Sequence, residues 1–176
     1  MNNVKEFFVK RKLNEAINSS KHFDRKSTTF TESKRIGILF GISTKEEADV
    51  IRQLIHQLTE EKKDVQAFTY FGKKELNLYN FPFEYMTEDE MDWQGGMQSE
   101  KAFKFINQPF DYLLYLSSKD SLPLKFLLAS SRAYCRVGAV QEGDKDLLEL
   151  MIGVPSSEGI SVLSEEMLSY LKKINS

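Results

Sequence analysis

From Arg35 to the end of the chain, short continuous apolar runs alternate with apolar stripes of helical period. After Arg35, residues 36–41 of Arg35–Gly41 (RIGILFG) are apolar at consecutive positions, which predicts a strand buried on both faces. Asp64–Phe71 (DVQAFTYF) predicts a second strand, and residues 110–116 (FDYLLYL), apolar without a break after Asp111, predict another. Residues 134–138 and 151–154 predict two shorter strands. Ala48, Ile51, Leu54, Ile55 and Leu58 trace one helix, with His56 beside the stripe. Leu124, Leu127 and Leu128 trace a second, with Pro123 placed for a first helical turn. Ile160, Leu163, Met167, Leu168, Leu171 and Ile174 trace a third. Around residues 75–98, Phe81, Phe83 and Tyr85 alternate about Pro82, which suits a short or edge strand. Trp93, Gln94, Gly95 and Gly96 read as a turn, Ala102, Phe105 and Ile106 as a short helix, and residues 144–150 as a helical turn or two.

Helices between short apolar strands imply crossover connections. The expectation is an α/β, Rossmann-like three-layer sandwich with a mostly parallel sheet of five or six strands. Residues 35–41 and 112–116 are too apolar for an exposed edge, so they should be central and adjacent.

Before this domain (35–176) lies a basic helical arm with a polar linker (1–34). Residues 1–35 hold nine Lys/Arg against four Asp/Glu, and the rest of the chain is acidic. The arm has two apolar faces, one of Val4, Phe7 and Phe8, the other of Val9, Leu13, Ala16 and Ile17. Such a helix suits packing between protein surfaces better than lying in a lipid interface. Charge asymmetry of this kind marks either a contact with a protein or RNA-containing partner or a helix resting on its own acidic domain, which the modest charge density favours. Because the linker is polar, residues 1–30 should be dispensable for folding.

Composition narrows the chemistry. The 176 residues carry a net charge of −2, which removes a whole-chain nucleic-acid footprint. One cysteine excludes an internal disulfide and cysteine-based metal sites within one chain, and two histidines leave little for a histidine cluster. No apolar run is long enough to span a membrane. The lone thiol and the charged N-terminus point to the cytoplasm. After Gly41 the chain reads Ile42-Ser43-Thr44-Lys45-Glu46-Glu47, without the further glycines of a dinucleotide loop and with acids that repel phosphate. Gly72-Lys73-Lys74 lacks the rest of a P-loop, and Gly41-Ile42-Ser43 does not complete a nucleophile elbow. The acidic run Glu88, Asp89, Glu90 and Asp92 lacks calcium-loop spacing and reads as a solvated turn. No catalytic residue, metal ligand or cofactor is indicated.

Position supplies the candidate site. Ligands of open parallel sheets sit beyond the carboxyl ends of the strands where strand order reverses. The two loops expected there carry Gly41, Ser43 and Thr44, and Ser117, Ser118 and Lys119. Each opens a helix, so these residues are candidates for holding a small anionic or hydroxyl-rich ligand. The favoured reading is the simpler one, that these hydroxyls only cap the helices. Ser43 with Glu46, or Thr44 with Glu47, fits a capping box.

The run from Phe110 through Ser117-Ser118, Leu122-Pro123 and Ala129 to Tyr134-Cys135-Arg136-Val137-Gly138 resembles a family of small cytoplasmic bacterial proteins of unknown function. More distantly, it is similar to the N-terminal half of heptosyltransferase-type glycosyltransferases, through a strand ending in Arg136-Val137-Gly138. Those enzymes hold the nucleotide-sugar mainly in a second domain, for which this chain has no counterpart. The resemblance therefore implies a binding module or a remnant. The leading expectation is a non-enzymatic binding or interaction module. The alternative is a small-molecule-binding protein or enzyme using the crevice.

Overall fold

The computed structural model describes residues 3–25, 28–72, 83–117, 119–141, 144–154 and 158–174. In chain order the elements are α1 (Asn3–Ser20), β1 (Arg35–Gly41), α2 (Lys45–Glu60), β2 (Asp64–Phe71), β3 (Glu84–Thr87), α3 (Glu100–Ile106), β4 (Tyr112–Ser117), α4 (Leu122–Ser130), β5 (Cys135–Ala139), β6 (Leu150–Ile152) and α5 (Gly159–Ile174), with a 3-10 turn at Glu88–Glu90 after β3. The six strands form one parallel sheet in the order β3-β2-β1-β4-β5-β6. This is the doubly wound order, and β1 and β4 are central neighbours as expected. Residues 144–150 form a turn followed by the start of β6 rather than a helix. Phe81 and Pro82 lie outside the described residues, whereas Tyr85 is in β3.

Alternate positions of the central strands feed two cores. Ile36, Ile38, Phe40, Tyr112, Leu114 and Leu116 pack under α2 and α5. Leu39, Leu113 and Tyr115 face α1, α3 and α4. Burial on both sheet faces is the reason these strands read as unbroken apolar runs.

The basic helix α1 rests on the domain, the arrangement its charge density favoured. Its two apolar faces part company. Val9 and Leu13 are buried in the α3/α4 core, while Val4 and Phe7 remain exposed. Gly95, at φ +72°, sits so close that a Cβ there would come within 2.8 Å of the Val9 amide nitrogen. Lys5 Nζ donates to the Glu88 carbonyl at 2.8 Å. The linker is tied down as well. Phe30 is buried against Tyr112, whose hydroxyl donates to the Thr28 carbonyl at 2.6 Å. Lys63 Nζ donates to the carbonyls of Phe30, Thr31 and Ser33 at 2.6–3.0 Å. Glu149 binds Arg136 through two oxygens (2.7 and 3.0 Å) and Arg25 through one (3.0 Å). Val9, Leu13 and Phe30 are thus parts of the two cores, which speaks against the expectation that residues 1–30 are dispensable for folding.

Candidate functional site

The reversal of strand order brings the ends of β1 and β4 together, with Gly41 opposite Ser117 in register. Ser117 was expected on an exposed loop. It closes β4 instead and is only 3% exposed, because a parallel strand flanked on both sides carries its last side chain into the core. Its Oγ donates to the Lys119 carbonyl at 2.8 Å. A Cβ on Gly41 would lie 2.6 Å from that Oγ and 2.9 Å from Leu124 Cδ1, so the absence of a side chain there lets α4 and β4 close over the end of β1.

The start of α2 is filled by its own side chains. Thr44 Oγ1 accepts from the Glu47 amide at 3.2 Å, and the Glu47 carboxylate accepts from the Ser43 amide at 2.6 Å. Of the two capping pairs the sequence offered, Thr44–Glu47 forms, with the carboxylate reaching one residue further back than a capping box requires. A carboxylate already stands where an anion would be held. Ser43, Thr44 and Lys119 are exposed, and Ser118 lies outside the described residues. The structure therefore joins Gly41 to Ser117, while Ser43 and Thr44 serve the start of α2.

Beside Ser117 is a polar cluster that the sequence reading passed over. Lys125, in the first turns of α4, is buried and pairs with Asp120 and Asp144 at 2.7 Å each. Asp144 is buried and Asp120 is exposed at the rim. Burial alone would lower the Lys125 pKa, but the bonds to the two carboxylates outweigh it and the pKa is raised. Tyr115, two residues before Ser117, is 3% exposed, and among the described residues its hydroxyl makes no hydrogen bond of ordinary length. Burial drives its pKa well above the usual tyrosine range; a weak hydrogen bond with the Ser117 side chain opposes this, and Asp144 and Asp120 add to it. Lys125 did leave a signal: it is the one charge in the nine residues LPLKFLLAS, and an ion within an apolar helix is a candidate for burial.

The acidic run after β3 is a structural turn. Glu90 accepts from the Thr87 amide at 2.8 Å, and Asp92 accepts from the Gly96 amide at 2.7 Å. Among the described residues no group of three or more His, Cys, Asp or Glu is placed to hold a metal ion. An open groove of about 680 Å³ at the amino end of β2, lined by Phe68, Phe83 and Phe105, lies toward the β3 edge of the sheet.

A sequence profile covers residues 5–174, from α1 through α5. The chain belongs to the family of unknown function DUF6913. The family unit thus includes α1 together with the sheet. No curated protein and no solved structure matches the chain.

Proposed function

We propose that this DUF6913 chain is a non-enzymatic interaction module whose contact surface is the outer face of α1. One observation carries the reading: Phe7, Phe8 and Trp93 form a chain of edge-to-face rings at 5.6 and 5.8 Å whose ends lie open to solvent, Phe7 at 65% and Trp93 at 69% exposure. Exposed Val4 extends the patch. Clustered apolar side chains exposed on a surface mark contact sites, and aromatic residues are the usual anchors of protein interfaces. A protein partner with an apolar groove fits better than a nucleic acid. Lys10 is paired with Glu6, and Arg11 and Lys12 with Glu15, so these cations of α1 are already engaged on the helix. Among the described residues no helix is long and apolar enough to cross a membrane. A cytoplasmic, bacterial setting belongs to the same proposal, supported by the single free thiol of Cys135.

The test is affinity capture with the intact chain and with a Phe7→Ser/Trp93→Ser variant, followed by reconstitution with purified candidates. Both side chains are largely exposed, so the variant should melt like the parent. The reading expects a protein retained by the parent after nuclease treatment, lost by the variant, and bound stoichiometrically once purified. Identical capture by both chains, or capture abolished by nuclease, overturns it.

A further inference from the structure

β2 is eight residues long, but its outer neighbour β3 pairs only with Phe68–Phe71. Along Asp64–Ala67 no strand lies on that side among the described residues, and the open groove of about 680 Å³ occupies the gap. Its lining joins the two cores. Ile55, Val65, Ala67 and Phe83 are partly buried on the α2 side, whereas Phe68 and Phe105 belong to the α3 side, where their rings stack at 5.1 Å. The groove therefore runs round the sheet edge from one core to the other, and an occupant that touches both is long and thin. A peptide strand finds little to pair with. Alternate residues of a strand turn their N–H and C=O to opposite sides, and the Asp64 amide donates to the Lys34 carbonyl on the β1 side, so of Asp64–Ala67 only Val65 and Ala67 face the groove.

Charge sets the head group. Lys101 and Lys104 stand one turn apart on α3 at the rim. Among the described residues one acid, Glu84, shares the lining with them, and it pairs with Lys101 at 2.9 Å. Lys104 pairs at 2.7 Å with Glu100, which lies outside the groove. Both members of that pair are largely exposed, and a solvated pair exchanges one carboxylate for another at little cost. Gln108, also in the lining, makes no side-chain hydrogen bond among the described residues, so its amide is a second free donor. From this combination we infer that the groove binds an unbranched alkyl carboxylate, a fatty-acid-like molecule, with its chain laid across Phe83, Phe68 and Phe105 and its carboxylate on Lys104 and Gln108. The volume is within the range of small-molecule sites. Burial of the chain supplies the affinity and the surplus lysine selects the sign of the head group. The site shares no residue with the aromatic surface of α1.

The test titrates the full ¹⁵N-labelled chain with octanoate, with hexanoate, octan-1-ol, octyltrimethylammonium and acetate as comparisons. Octanoate should give saturable shifts in the amides of Gln66, Ala67, Phe105 and Gln108, and acetate none. Hexanoate should bind at least about fivefold more weakly, because two fewer methylenes are buried. The alcohol should bind at least about threefold and the ammonium at least about tenfold more weakly. Lys104→Gln should weaken octanoate about threefold with melting unchanged, and Lys104→Arg should keep the parent affinity. Gln66→Trp, which fills the groove from an exposed strand position, should abolish binding in a chain that still melts cooperatively. The inference is overturned if octanoate gives no saturable shifts there, if any comparison probe binds as tightly as octanoate, or if Lys104→Gln or Gln66→Trp binds like the parent. It is also overturned if the same amides shift on dilution of the ligand-free chain, which would seat a second copy in the groove.

Discussion

Gly95→Ala should lever α1 away from the sheet. Gly95 has φ +72°, a region that costs a residue with a Cβ about 1–2 kcal/mol. The new methyl would also lie 2.8 Å from Val9 N, 2.9 Å from Phe8 C and 3.0 Å from Val9 Cα. These are backbone atoms of a helix, so no rotamer change relieves them, and α1 has to shift by roughly half an ångström to restore ordinary contact. Burial of Val9 and Leu13 contributes about 1.5–3 kcal/mol each. A gap of that size forfeits roughly a quarter of their contact energy or more, about 1–2 kcal/mol. The sum is a loss of about 2–4 kcal/mol, read as a lower urea midpoint by circular dichroism and by the fluorescence of Trp93, the chain's one tryptophan. Gly153→Ala is the control, because no atom lies within 4 Å of its Cβ position and its φ is not positive; it should stay within about 0.5 kcal/mol of the parent. Adding Val9→Ala to Gly95→Ala should cost less than Val9→Ala alone, since the first change has already loosened the contact. A Gly95→Ala midpoint equal to that of Gly153→Ala, or strict additivity with Val9→Ala, would refute the reasoning.

Removing residues 1–30 strips Val9, Leu13 and Phe30 from the two cores, a loss of about 5–9 kcal/mol against the 5–15 kcal/mol typical of a whole domain, so the truncated chain should melt without cooperativity; a sharp transition would show that α1 is dispensable. Glu149→Gln leaves the Arg136 and Arg25 guanidiniums without their shared carboxylate and should cost about 3 kcal/mol, seen as a lower urea midpoint; a loss under about 1 kcal/mol would mean the pairing is incidental. Burial pushes the Cys135 thiol from 9.0 up to about 11, with Glu149 adding to the effect. The raised folded-state pKa gives a stabilisation that is complete below the unfolded pKa of about 9 and is lost as pH climbs toward 11, at most about 3 kcal/mol before solvent screening. Urea titrations across that interval should show the decline in the parent and a smaller one in Cys135→Ala, and equal declines would assign the effect elsewhere.

The parallel sheet was legible in the sequence because its cause is local and periodic. Residues 36–41 and 112–116 are apolar at consecutive positions, and runs that short, rich in β-branched and aromatic residues, suit a strand covered on both faces. Thr44 with Glu47 likewise announced the start of α2 within four residues. The partners of the isolated charges were not legible, because topology decides them. Lys63 looks like an ordinary surface lysine until the chain's return places it under the carbonyls of residues 30–33. Glu149 meets Arg25 and Arg136 only because β5 and β6 pair and α1 lies alongside α4. Tyr115, Lys125 and Asp144 come from a strand, a helix and a loop with nothing in common along the chain. A period reports which face of an element is dry, since that is set by neighbours a few residues away. Which charge meets which depends on where crossovers dozens of residues long bring the chain back, and so was decided by the packed sheet alone.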